Sequence, residues 1–183
     1  MEKYYLTGRY LKNMEKDIKQ TDNEKFLNSI IENIPDMIFV KDAKELRFVR
    51  FNKAGEELLG YKREDMIGKN DYDFFPKNEA DAFTSDDRKV LREKVMVNVG
   101  EQPIQTKNKG TRVLRSKKIP ILDEEGNPIY LLGISEDITE EKNAAKEVEE
   151  KIRQIESMNK LMIGREIKMQ ELKKEIEDLK RNK

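Results

Sequence analysis

Along this chain the spacing of apolar residues changes three times, and each change predicts a different kind of element. Near the start Tyr4, Leu11 and Ile18 recur every seven residues with Met14 between the last two. That pattern predicts an amphipathic helix over about Lys3 to Gln20, with a stripe too thin to hold it folded alone. Thr21-Asp22-Asn23-Glu24 then has capping-box spacing. Behind it Phe26, Leu27, Ile30, Ile31 and Ile34 form a helical face stopped by Pro35, and this face is expected to be a core contact.

Next come short β-type runs. "DMIFVKD" and "LRFVRFN" flank a brief polar connection, Ala43 to Glu45, and predict a hairpin. "KAGEELLGY" predicts one or two helical turns closed by Gly60 as a left-handed cap. After short segments around Met66 and Phe74-Phe75, "NEADAFTSDDRKVLREKVM" predicts a longer helix carrying Ala80, Phe83, Val90 and Leu91. Three strands follow, "VGEQPIQTK", "TRVLRSKKIPIL" and "NPIYLLGISED", with turns at Asn108-Lys109-Gly110 and Asp123 to Asn127. Two strands, several helices and three strands predict an α+β domain: a five-stranded antiparallel sheet with helices packed on one face.

From Thr139 the period becomes seven. Val148, Ile155, Met162, Met169 and Ile176 occupy a positions, and Met158, Leu172 and Leu179 occupy d positions, interrupted at d by Lys151 and Arg165. So narrow a stripe suits the seam of a coiled coil, which makes a homodimer the expected state. Glu175 and Lys180 fall at g and the following e, a pairing that favours a parallel pair, while Lys168 and Lys173 oppose it. Gly164 interrupts the helix interior among Leu161, Ile163 and Ile167, as a hinge, a docking patch or plain helix with wider local burial. The organisation expected is a flanking helix over 1–22, a globular domain over 23–139 and a signalling helix over 140–183.

Composition narrows the chemistry. Lys plus Arg and Asp plus Glu number 37 each, so no net field draws the 183-residue chain towards nucleic acid or an anionic membrane. No apolar run approaches a membrane span and no signal-peptide core is present, which predicts a soluble, cytoplasmic protein. There is no His, Cys or Trp. That removes thiolates, disulfides, cysteine metal sites, imidazole bases and His-ligated haem. Asp71-x-Asp73 lacks the glycine and distal Glu of a calcium loop, and Asp123 to Glu125 lie in a turn as solvated charge. No catalytic constellation or metal site is expected, and the protein is read as a non-enzyme.

The middle of the chain, about Asn23 to Lys142, resembles a PAS domain with its C-terminal PAC segment, of the sensory box family. The resemblance rests on "IPDMIFVKD", "FNKAGEELLGY", "REDMIGK" and "DEEGNPIYLLGISEDITEEK" in that order. It implies a sensory module of the kind found in two-component systems. Such a module perceives a small ligand or partner and signals through a flanking helix to a histidine kinase or similar output. The alternative is an empty PAS fold used as a dimerisation scaffold. In the family the triplet matched by Asp137-Ile138-Thr139 joins the last strand to the exit helix. Physically, Asp137 or Thr139 can cap that helix, with Glu140 and Glu141 at its positive end.

The resemblance also bears on cofactors. Family members that bind haem use a His, and none exists here. Flavin photosensors carry Gly-x-Asn-Cys-Arg; this chain has "GKNDY", with Asp71 for the reactive Cys and Tyr72 for the Arg. No cofactor is expected. Candidate pocket residues are the aromatics Phe39, Phe74, Phe75 and Phe83, with Leu59, Met66, Val90 and Leu132. Alternation places Arg115 and Lys117 together with Val113 and Ile119. Facing inward these cations would hold a carboxylate or phosphate; facing outward they are solvated charge.

Overall fold

A computed structural model of the protein describes residues 22–181. The helix expected over Lys3 to Gln20 lies outside the described residues. The chain divides into two units, one ending at Ile138 and one beginning at Thr139.

In the first unit a helix, α1 (residues 22–33), precedes β1 (Met37–Asp42) and β2 (Phe48–Phe51). Then come α2 (Lys53–Leu59), α3 (Arg63–Met66), a 3-10 turn (Asp71–Asp73) and α4 (Lys77–Glu93). Three long strands finish the unit: β3 (Val97–Thr106), β4 (Gly110–Leu122) and β5 (Pro128–Asp137). All neighbours are antiparallel in the order β2-β1-β5-β4-β3, so the last strand lies at the centre of the sheet beside the first. This is the five-stranded α+β architecture expected from the pattern.

The short helices start and stop where local chemistry requires. Asn52 caps α2, and Gly60 ends it at φ 80, a left-handed conformation that a Cβ would strain. Lys94 ends α4 in the same region at φ 56, so the expected helix stops short and leaves Val95 and Met96 exposed.

One apolar core, built from Phe48, Phe51, Leu59, Met66, Val90, Leu131 and their neighbours, lies between the sheet and α2–α4. The face expected on α1 behaves differently. Phe26, Leu27 and Ile30 are exposed, and only Ile31 and Ile34 are partly covered. Polar contacts fasten this helix instead. The buried Asn52 amide donates to Ile31 O (3.1 Å), Ile34 O (3.4 Å) and Asp36 O (2.9 Å). Its Oδ1 accepts from Ile38 N at 2.9 Å and Gly55 N at 3.0 Å. Arg63 grips Glu32 through both terminal nitrogens, at 2.6 and 2.8 Å, and Glu56 at 2.7 Å.

The second unit is one helix, α5 (Thr139–Arg181), of 43 residues. At 1.5 Å per residue it is about 65 Å long, and it runs unbroken through Gly164. Val148, Ile155, Met158, Met162, Met169, Leu172 and Ile176 are exposed along it; the side chain of Leu179 lies outside the described ones.

Candidate functional site

The inner face of the sheet is built in cross-strand rows. One reads Phe51, Phe39, Gly133 and Lys118; the next reads Met37, Ser135, Ser116 and Gly100. The ring of Phe39 lies over Gly133, where a Cβ would sit 2.0 Å from the ring. Between these rows and α4 is a cavity of about 50 Å³. Phe39, Phe48, Phe51, Phe75 and Phe83, with Met37, Leu59, Ile104 and Leu114, form its apolar wall. Lys41, Asp71, Gln102, Ser116, Lys118 and Ser135 form its polar one.

Three members of the polar wall, Lys41, Asp71 and Lys118, form a buried quartet of charges with Asp87. Lys41 Nζ donates to Asp71 Oδ2 at 2.5 Å and to Asp87 Oδ2 at 2.7 Å. Lys118 Nζ sits 2.5 Å from Asp87 Oδ1, an ion pair not aligned as a hydrogen bond, and donates to Phe83 O at 3.3 Å. None of the four side chains is more than 5% exposed. The Lys41 ammonium also lies 4.8 Å from the centre of the Phe48 ring and 5.3 Å from that of Phe39.

Local sequence explains each position. Met37, Phe39 and Lys41 alternate inward along β1, and Leu114, Ser116 and Lys118 alternate inward along β4. Asp87 shares the inner stripe of α4 with Ala80 and Val90. Asp71 is set by a capping box: Tyr72 N donates to Asn70 Oδ1 at 3.1 Å, and Asn70 N to Asp73 Oδ2 at 2.9 Å. The turn points Asp71 in and leaves Tyr72 half out, donating to Asp81.

Burial disfavours the Lys41 ammonium, but Asp87 and Asp71 outweigh it and hold its pKa above the usual lysine value. Burial raises the pKa of Asp71, with Lys41 opposing. The quartet joins β1, the 3-10 turn, α4 and β4. It serves as an electrostatic frame around the cavity, with Lys118 and the serine pair (Ser116 Oγ to Ser135 Oγ, 2.7 Å) facing into it.

A family model described as the PAS fold matches residues 31–143, more than half of the chain. The chain belongs to the PAS family. Among solved structures it is similar to the PAS domain of a protein from Colwellia psychrerythraea. That match has 25% identity and a TM-score of 0.55, over 63% of this chain and 97% of that one. It is also similar to the Vibrio cholerae VqmA dimer, with 28% identity and a TM-score of 0.55, over 61% of this chain and 50% of VqmA. A VqmA structure bound to DPO matches at 28% identity and TM-score 0.54, over 61% of this chain and 55% of that one. An RNA-binding Light-Oxygen-Voltage receptor shares the fold at 17% identity and TM-score 0.59, over 71% of this chain and 37% of the receptor. The chain thus spans about a third to a half of these longer receptors. No curated protein matches the sequence significantly. A PAS domain fits a signal-sensing role.

Of the pocket residues expected from sequence, Phe39, Leu59, Phe75 and Phe83 line the PAS cavity. Met66 and Val90 are fully buried in the core without lining it. Phe74 packs edge-on to Tyr61 at 5.0 Å, away from the lining. Leu132 pairs with Val40 and Ile119 on the outer face of the sheet, while Leu131 is the inward neighbour. Arg115 and Lys117 also lie on that outer face, Arg115 3.2 Å from Glu136 and Lys117 exposed, so neither is the inward cation.

The inward cations are Lys41 and Lys118. They, Asp71 and Asp87 were missing from the sequence-level candidates. The alternation of "MIFVKD" and the Ala80, Asp87, Val90 stripe put Lys41 and Asp87 on apolar faces, but neither pattern says that a charge there is buried. At the junction Ile138 is buried, its N–H donating to Val113 O at 3.0 Å, and Arg112 Nε lies 3.6 Å from Asp137 Oδ2. Thr139 opens α5. Among the described residues no helix is long and apolar enough to cross a membrane.

Proposed function

We propose that this protein is a sensory module whose PAS cavity takes a small molecule and whose signal leaves through α5. The output is a histidine kinase or another signalling protein, reached through a coiled coil of two copies. The observation carrying this reading is the cavity itself, walled by aromatic rings on one side and by charged and hydroxyl groups on the other. A few convergent polar groups in an apolar pocket are what ligand recognition requires.

Continuity of the chain supplies the route. β5 contributes Ser135 to the cavity wall and Gly133 beneath the Phe39 ring, lies at the centre of the sheet, and runs straight into the Asp137-Ile138-Thr139 junction. Similarity to VqmA bound to DPO supports ligand binding, and similarity to a VqmA dimer supports pairing. The exposed seven-residue stripe of α5 supports a coiled-coil seam made by Val148, Ile155, Met158, Met162, Met169, Leu172, Ile176 and Leu179. One observation favours the scaffold reading: the cavity is small and its charges are already paired.

Native mass spectrometry of the protein purified from its own host separates the two. Sensing predicts a small molecule retained in stoichiometric amount. A bare dimer mass supports the scaffold.

A further inference from the structure

The charges around the cavity decide what kind of molecule it can hold. Lys41 and Lys118 contribute two positive charges, and Asp71 and Asp87 two negative ones, so the buried frame is neutral when empty. Asp86, which accepts from Gln102 Nε2 at 2.9 Å, is only partly buried and does not line the cavity. A carboxylate or phosphate entering this frame would bring a charge with nothing left to compensate it, beside four side chains that are at most 5% exposed. A neutral molecule meets no such cost.

The polar wall also contains groups with hydrogen-bonding capacity to spare. Lys41 already serves two carboxylates and two aromatic faces. Lys118 has two partners, Asp87 Oδ1 at 2.5 Å and Phe83 O at a long 3.3 Å. An ammonium has three protons to give. Ser116 and Ser135 share one hydrogen bond, which uses one of their two hydroxyl protons and leaves the other to turn inward.

Resting on the sensory reading above, we propose that the cavity takes a small uncharged molecule. It carries a hydrogen-bond-accepting oxygen or nitrogen for Lys118 and the serine pair, and a compact apolar body that packs on Phe39, Phe51 and Phe83. An acceptor there takes the third proton of the ammonium, so binding adds a partner to the group that ties β4 to α4.

A matched pair of probes small enough for so small a cavity tests this: acetamide and acetate have the same shape and differ by one charge. Both are titrated at neutral pH into the full chain with 13C-labelled methyl groups, reading Met37, Ile104 and Leu114 at the cavity wall. The amide should shift these methyls saturably and the carboxylate should not. Asp87→Asn leaves the frame with one excess positive charge. In that variant acetate should gain about tenfold or more in affinity, the scale of one charge-assisted bond. Asp71→Asn, on a different element, creates the same excess charge if Asp87→Asn does not fold.

Acetate binding the parent protein as tightly as the amide overturns the neutral-ligand proposal and leaves sensing intact. Failure of both acid-to-amide variants to gain acetate affinity overturns it equally. If neither probe moves the methyls, the proposal fails, and the host-purified mass, which depends on neither probe, decides the sensory reading by itself.

Discussion

Gly133 has no space for a side chain because the ring of Phe39 occupies it. Gly133→Ala must push that ring out of its place, and the nearest free volume is the cavity. The substitution should cost about 2 kcal/mol in urea unfolding, typical of an overpacked core, and the lining methyls of Met37 and Ile104 should shift. Lys41 is a sharper case. Replacing it with Met leaves Asp71 and Asp87 facing each other without their shared cation, at a cost of roughly 3–5 kcal/mol. Adding Asp71→Asn to Lys41→Met removes the carboxylate left unpaired and keeps the Asp87–Lys118 pair, so it should restore part of that loss, measured by the same denaturation. Glycine at 133 was legible in the sequence only as a member of a family motif; the ring over it belongs to another strand. Lys41 was hidden for a related reason. In "MIFVKD" a charged residue at the end of an apolar run reads as the place where a strand meets solvent, and only the partners on α4 and the 3-10 turn make it an interior residue.

At the level of elements, α1 and α5 are held by different forces. The end of α1 is fastened by Asn52 and by Arg63 with Glu32 and Glu56. Hydrogen bonds from Arg63 hold the Glu32 and Glu56 carboxyls below their usual value of 4.5. Groups lowered in the folded state add stability above that value and lose it as pH falls through their folded values. Arg63→Met should therefore be less stable than the parent above pH 4.5, by about 1 kcal/mol given partial solvent screening. The two should converge in more acid solution, which thermal melts across the acid range will show. In α5, a Cβ at Gly164 meets nothing within 4 Å. Gly164→Ala should then strengthen the helix by about 1 kcal/mol, seen as slower hydrogen exchange around residue 164. The period of each element was readable from sequence, because spacing of two or seven is a local property. The exposed face of α1 was misread as core because periodicity shows that a face is apolar and says nothing of what covers it.

For the whole molecule, the strand order places the end of the sensory unit at the centre of its sheet, one residue before the long helix starts. The hairpins and the five-stranded antiparallel sheet followed from the pattern, so the fold was the most legible part, but the pairing of β1 with β5 that makes the last strand central did not. The charged quartet was the least, since its four members are far apart in sequence and each alone resembles a surface residue. If α5 pairs with a second copy, Met162, Met169 and Ile176 changed together to Glu should give a folded monomer by light scattering, with the sheet unaltered by circular dichroism. The central claim is that occupancy of the cavity is felt in α5. It is tested most directly by hydrogen exchange on the full chain, first as purified from its own host and then after unfolding, removal of small molecules and refolding. The account predicts altered exchange in β4 and β5 and in the first turns of α5, from Glu140 towards Val148. Identical exchange across β5 and α5 in the two preparations, with a small molecule shown by mass to have been lost, would contradict it and leave the helix a passive tether.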